Sequence, residues 1–143
     1  GWASGPQSLI SAVKAVRQHL SYVSGGPFQL AIAAGLGLPD QYFNEFRRGL
    51  SAKRDQLCAG LEHIGMRVIP TEGTYFVTTD ISPLGYSDGM EFTRMLAKSC
   101  KVVAIPEQVF TRTGQDFKEY VRWAFCKKPE VLTEALERIH TIS

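Results

Sequence analysis

Leu9, Val13, Val16 and Leu20 recur at spacings of 4, 3 and 4, which lays one apolar stripe along a helix of roughly Gln7 to Leu20. Pro6 suits the first position of that helix, where its missing N–H costs nothing. Ser24-Gly25-Gly26-Pro27 breaks the pattern, and a second helix is expected from Phe28 to Leu36, ending in Gly35 and Gly37. It is apolar all round, which predicts burial in a domain or subunit interface. A third helix starts at Asp40 as its cap and continues to about Ile64. Phe43, Phe46, Leu50, Leu57, Leu61 and Ile64 line one of its faces, and Gly65 suits the C′ position. Its length predicts a link between this domain and another.

From Met66 the period shortens. Met66 to Ile69 and Thr74 to Ile81 are rich in strand formers and flank the turn Pro70-Thr71-Glu72-Gly73. Pro83 to Gly85 forms a further turn, and Ser87 is the expected cap of a helix over Asp88 to Ser99. Val102 to Ile105 and Tyr120 to Cys126 complete four strands. Pro129 opens a last helix whose inner face carries Val131, Leu132, Ala135, Leu136 and Ile139. Helices followed by four short strands describe an α/β chain with an α+β layer. Neither an internal repeat nor a low-complexity segment interrupts it.

Composition narrows the partners. The 143 residues suffice for one ordinary core, with 44% hydrophobic and 21% charged residues and a formal net charge of +2. Basic residues are dispersed, with no run beyond the pairs Arg47-Arg48 and Lys127-Lys128, which argues against nucleic acid. No apolar stretch approaches the roughly 20 residues that span a bilayer, and the start of the chain has no secretory pattern. Cys58, Cys100 and Cys126 are widely spaced and form no C-x-x-C pair, so free thiols in a reducing cytoplasm are expected. His19, His63 and His140 lack i,i+4 partners, and no metal site is expected. Opening on Gly1-Trp2-Ala3 without Met, the chain reads as a piece of a longer polypeptide.

The chemistry concentrates in Tyr120-Val121-Arg122-Trp123-Ala124-Phe125-Cys126. Val121, Trp123 and Phe125 alternate onto one face, and Tyr120, Arg122, Ala124 and Cys126 onto the other. Both faces are mostly apolar, which predicts burial on both sides. A guanidinium in the middle of such a strand requires a carboxylate, because an unpaired buried charge costs several kcal/mol. Its planar fork binds a carboxylate through two hydrogen bonds. The partner is either an Asp or Glu of the protein or the carboxylate of a ligand, and the strand taken alone favours the former. Three other features are individually weak. Gly73 opens a strand, Pro106 ends one, and the connection from Glu107 to Phe117 is long and polar, as binding loops often are.

Taken in order, these segments resemble the C-terminal part of class I/II aminotransferases, the fold-type I pyridoxal-phosphate (PLP) enzymes. Tyr22-Val23-Ser24-Gly25-Gly26-Pro27-Phe28-Gln29, Gly73-Thr74-Tyr75-Phe76, Val103-Ala104-Ile105-Pro106 and Val121-Arg122-Trp123-Ala124-Phe125 carry the likeness. It is strongest to the branch of kynurenine/glutamine transaminases and actinobacterial N-succinyldiaminopimelate aminotransferases. Asp80-Ile81-Ser82-Pro83-Leu84-Gly85-Tyr86 is similar to the latter in particular.

The resemblance implies a cytoplasmic homodimer that transfers an amino group between an amino acid and a 2-oxo acid. It implies that residues 1–39 are the tail of the large cofactor domain with interface helices. Residues 40–64 would be a linking helix, and 65–143 the small C-terminal substrate-side domain. Arg122 would bind the substrate carboxylate. Tyr22 would lie near the neighbouring subunit's pocket, and Gly73 and Thr74 beside the substrate entrance. The catalytic lysine that bonds the PLP aldehyde has no match in this chain and is expected ahead of residue 1. Lys14, Lys53, Lys98, Lys101, Lys118, Lys127 and Lys128 sit in no suitable motif. Two alternatives share the scaffold: a C–S β-lyase, and a non-catalytic folding or dimer-forming fragment. One departure concerns the loop after Pro106. The family usually has a small residue and Ser there before an aromatic, whereas this chain has Glu107-Gln108-Val109-Phe110.

Overall fold

The computed structural model describes residues 2–22 and 25–142. Gly1, Val23 and Ser24, used above for the chain start and the break between helices, lie outside the described residues. Two compact units form, Gly1–Phe43 and Asn44–Ser143. In the first, α1 (Gln7–Leu20) and α2 (Gly26–Leu36) follow the expected periodicity. α2 begins two residues earlier than expected, with Pro27 in its first turn. Neither helix buries a residue within this chain: the α1 stripe is exposed, and so are Phe28, Leu30, Ile32 and Leu36 of α2. The burial expected for α2 is therefore not provided by the chain itself.

α3 (Asp40–His63) begins at Asp40, which is the first helical residue and not the residue before it. Its C-terminus closes as the sequence predicts. Gly65 takes φ +102, its N–H donates to the Glu62 carbonyl, and the Met66 N–H donates to the Leu61 carbonyl. This pair of bonds is the Schellman arrangement, and it turns Met66 back onto Leu61 inside the core.

The second unit carries a four-stranded antiparallel sheet in the order β1-β2-β4-β3. The strands are β1 (Arg67–Ile69), β2 (Phe76–Asp80), β3 (Ile105–Pro106) and β4 (Tyr120–Ala124). An all-antiparallel sheet with helices on one side is the α+β form of the expectation. The strands are shorter than the runs of strand formers, and β3 keeps only two residues. Pro106 is tolerated in it because β3 is an edge strand, where a missing N–H leaves no neighbour unsatisfied.

One face of the sheet is covered by helices. Val77, Val121, Trp123 and Phe125 pack with Leu57 and Leu61 of α3, Phe92 of α4 (Gly89–Met95), and Leu132 and Ile139 of α5 (Pro129–Ile139). The Trp123 indole N–H donates to Thr79 Oγ1 at 2.8 Å, so the polar atom of this buried ring has its partner. Val131, expected on the inner face of α5, is instead exposed. The cap of α4 is Asp88 and not Ser87, its carboxylate accepting from the backbone N–H groups of Met90 and Glu91. After Met95 the helix widens into a π turn over Leu96–Cys100.

The start of α4 lies against the strands. The Gly89 N–H donates to the Lys118 carbonyl at 2.7 Å. A Cβ on Gly89 would come within 3.0 Å of that carbonyl oxygen and 3.1 Å of the Tyr120 one. Glycine therefore eases the close approach of α4 to the strand that carries Arg122, since a side chain here would push on two backbone carbonyls.

Candidate functional site: a carboxylate fork on the open face of the sheet

The opposite face of the sheet is not covered in the same way. Tyr120, Arg122 and Ala124 are half-buried, whereas Val121 and Trp123 are buried. Burial of β4 on both sides, as expected from its two apolar faces, is not observed in this chain. Register builds a row across the open face. Ile69 of β1 opposes Thr78, Thr78 opposes Arg122, and Arg122 opposes Ile105 of β3.

The Arg122 guanidinium meets a carboxylate of the protein. Its Nε donates to Glu107 Oε1 at 2.9 Å and its Nη2 to Glu107 Oε2 at 2.7 Å, a bidentate fork. Thr78 Oγ1 donates to the same Oε1 at 2.8 Å. The carboxylate is thus held by three donors from two neighbouring strands. The guanidinium plane is bracketed by aromatics, with Cζ 4.3 Å from the Phe110 ring centroid and 5.1 Å from that of Phe76. Arg122 retains 28% and Glu107 13% of their side-chain exposure, so solvent still reaches the pair. The structural partner that the strand alone favoured is therefore Glu107, the first residue of the loop that departs from the family pattern.

Glu107 and Thr78 also line a cavity of about 380 Å³, with Ile69, Phe117 and Tyr120 as its other walls. It is mainly apolar, and Glu107 is the charged side chain in its lining. Glu107 belongs to one 3₁₀ turn, Glu107–Phe110, which starts after Pro106 with no side-chain cap. In that turn Gln108 Oε1 is buried with no hydrogen-bond partner.

The other expected site residues fall elsewhere. Gly73 and Thr74 border a separate cavity of about 290 Å³, together with Arg47, Arg54, Glu72 and Phe125. Thr74 takes φ +63, and its hydroxyl accepts from the Phe76 N–H. Tyr22 follows α1 with φ +52 and is exposed, in the first unit. No lysine lines either of these two cavities. Lys101 Nζ donates to the Lys98 carbonyl, and Lys127 and Lys128 are exposed beyond β4. Neither of these two cavities therefore offers an amine to a PLP aldehyde.

Sequence reasoning missed three features. Glu107 reads in sequence as the start of a long polar loop and as a departure from the family pattern, and only the pairing of Ile105 with Arg122 makes it the partner of the guanidinium. Asp80 is buried beneath Arg67, its cross-strand partner and ion-pair partner. Burial pushes its carboxyl up, but hydrogen bonds from Ser82 and the Arg67 guanidinium outweigh this and hold it below the usual carboxylate range. His63 and His140 stack with ring centroids 5.7 Å apart, a contact that their spacing in the chain does not reveal. Among the described residues no group of His, Cys, Asp or Glu could hold a metal ion. The cysteines are free: Cys58 half-buried, Cys100 buried and Cys126 exposed. Burial pushes the Cys58 thiol up, and Glu62 adds to the effect. No helix among the described residues is long and apolar enough to cross a membrane.

The fold and sequence of this chain recur in known proteins. The chain is 40% identical, over its whole length, to a Mycobacterium tuberculosis protein named as a probable N-succinyldiaminopimelate aminotransferase. It is 32% identical over 97% of its length to human kynurenine–oxoglutarate transaminase 3. It spans 38% and 35% of those two proteins, little more than a third of each. The solved structure of N-succinyldiaminopimelate aminotransferase from Mycobacterium tuberculosis superposes on all of the chain with a TM-score of 0.93 and 43% identity, the chain covering 37% of it. An Escherichia coli structure described as having a methionine aminotransferase function covers 96% of the chain with a TM-score of 0.83 and 31% identity, and the chain covers 36% of it. The model of the family "Aminotransferase class I and II" matches residues 1–139, and the chain belongs to that family.

Proposed function

We propose that this chain is the substrate-side portion of a PLP-dependent aminotransferase, and that Arg122 holds the carboxylate of the amino-acid or 2-oxo-acid substrate. One observation carries the reading. The Arg122 fork, backed by the Thr78 hydroxyl and bracketed by Phe76 and Phe110, already grips a carboxylate at bidentate distances and remains reachable from solvent. The Glu107 carboxylate there stands for the carboxylate of a substrate. Family membership supports transamination as the reaction, and class I/II aminotransferases generally depend on PLP.

The contribution of this chain is positional. A bidentate clamp fixes both the location and the plane of the bound carboxylate, which orients the rest of the substrate towards whatever acts on it. The lysine that bonds PLP belongs to the full-length protein ahead of residue 1. Residues 1–39 are assigned to the cofactor domain's tail, 40–64 to a linking helix and 65–143 to the substrate-side domain. Gly73 and Thr74 are assigned to the substrate entrance, where Arg47 and Arg54 border the same cavity. Tyr22 is assigned to the pocket of a second subunit, consistent with the homodimers common in this family. The cytoplasm fits its free thiols.

The test is kinetic. In the full-length enzyme, Arg122→Ala should raise KM for both amino and 2-oxo substrates on the order of 100-fold, or about 3 kcal/mol for losing a charge-assisted bidentate contact. An unchanged KM for both would refute the assignment.

A further inference from the structure

We propose that Glu107 is a built-in competitor for the substrate carboxylate, seated in the Arg122 fork and displaced when substrate binds, so that it sets carboxylate affinity. The proposal rests on the reading of Arg122 as the substrate-carboxylate residue.

Three observations separate a displaceable occupant from a permanent latch. First, Glu107 takes up donors suited to holding a carboxylate: Arg122 Nε, Arg122 Nη2 and the Thr78 hydroxyl. Those donors sit on β4 and β2, at directly opposed positions of the sheet, so the register holds them in place whichever carboxylate is present. Exchange of one carboxylate for another keeps the guanidinium paired, which removes the large penalty for stranding a charge.

Second, the occupant is on the weaker element. Glu107 starts a short 3₁₀ turn that has no side-chain cap, and the apolar Val109 and Phe110 of the same turn are exposed. The neighbouring Gln108 Oε1 is buried without a partner, so this turn is not fully satisfied where it rests. The Thr111 N–H and hydroxyl both donate to the Gln108 carbonyl, so these hydrogen bonds close the turn on itself and do not tie it to the sheet.

Third, there is room beside the fork. Glu107 and Thr78 line the 380 Å³ cavity, so a ligand carboxylate there meets the Thr78 hydroxyl and the Glu107 side chain that occupies the Arg122 fork. Phe110 rides on the same turn and stacks on the guanidinium. Displacement of Glu107 therefore moves an aromatic ring as well as a charge.

Propionate and propylamine serve as probes, titrated calorimetrically into the full-length protein. Glu107→Gln, nearly isosteric, should bind propionate about tenfold more tightly than the native protein. Propylamine, which has no carboxylate, should bind both within about twofold. Glu107→Met, of similar length and without charge, is the second variant and should behave like Glu107→Gln; circular dichroism establishes that each is folded. Arg122→Ala should lose propionate binding. If Arg122→Ala loses it but neither Glu107 variant gains affinity, Glu107 is a fixed structural partner and the competitor is ruled out, while the Arg122 reading survives. If the Glu107 variants change propylamine binding as much as propionate binding, competition for the fork is likewise excluded. Should Arg122→Ala bind propionate as well as native protein, both readings fall together.

Discussion

The two faces of one sheet differ in how they treat polar atoms. On the helix-covered face, the Trp123 indole and Thr79 hydroxyl satisfy each other in full burial, among Val77, Val121 and Phe125. On the open face, two arginines meet two carboxylates: Arg122 meets Glu107 where water still reaches both, and the exposed Arg67 covers the buried Asp80. The first arrangement has one low-energy partner and nothing to exchange it for. The second has at least one pair, at Arg122, in which a carboxylate from outside could replace the carboxylate of the protein. β4 contributes to both faces, Val121 and Trp123 to one and Arg122 to the other, so the alternation of a strand puts stability and recognition back to back.

That contrast can be broken from either side. The largest expected effect is on the covered face. Trp123→Ala removes a ring that is 4% exposed and orphans part of the Thr79 hydrogen bonding, and it should cost about 3–5 kcal/mol in urea denaturation. A loss under about 1 kcal/mol would mean that this face is not the core. On the open face a double-mutant cycle of Arg122→Met and Glu107→Gln should give a coupling of only about 1 kcal/mol, as expected for an ion pair that water still reaches. A coupling of several kcal/mol would make the pair structural and would contradict an exchangeable carboxylate.

The smallest effect is acid-dependent and belongs to Asp80. Its folded carboxyl lies below the usual range, so its contribution is fully present above the unfolded value of about 3.9 and is lost as pH falls through the lower, folded value. Asp80→Asn should therefore lower stability by about 1 kcal/mol at neutral pH and flatten the acid limb of the stability profile. An unchanged acid limb would show that the Arg67 and Ser82 contacts do not favour the charged form.

Much of this molecule is legible without coordinates, for local reasons. α1 occupies Gln7–Leu20, as its 4, 3, 4 apolar spacing requires. Gly65 ends α3 because only a residue tolerant of positive φ fits there. Arg122 stands out because a guanidinium inside Val-Arg-Trp is costly unless a carboxylate meets it. Each of these follows from propensities and periods that act within a few residues. The same range sets the misses. Ser87 and Asp88 are equally good caps by composition, and only the turn geometry that aims the Asp88 carboxylate at Met90 and Glu91 selects one.

What tertiary structure alone decided is which distant residues meet. The sequence by itself determined that Arg122 needed a carboxylate. It left open whether that carboxylate was the protein's own, because Glu107 is 15 positions away and is brought back by antiparallel pairing of β3 with β4. Thr78, 44 residues before Arg122, joins them only through the register of β2 against β4. The alternation of β4 shows that it has two faces but not which of them the helices cover, since both are apolar enough. Packing of α3, α4 and α5 against Val121 and Trp123 made that choice and left Arg122 facing outward, where its fork can hold a carboxylate and release it.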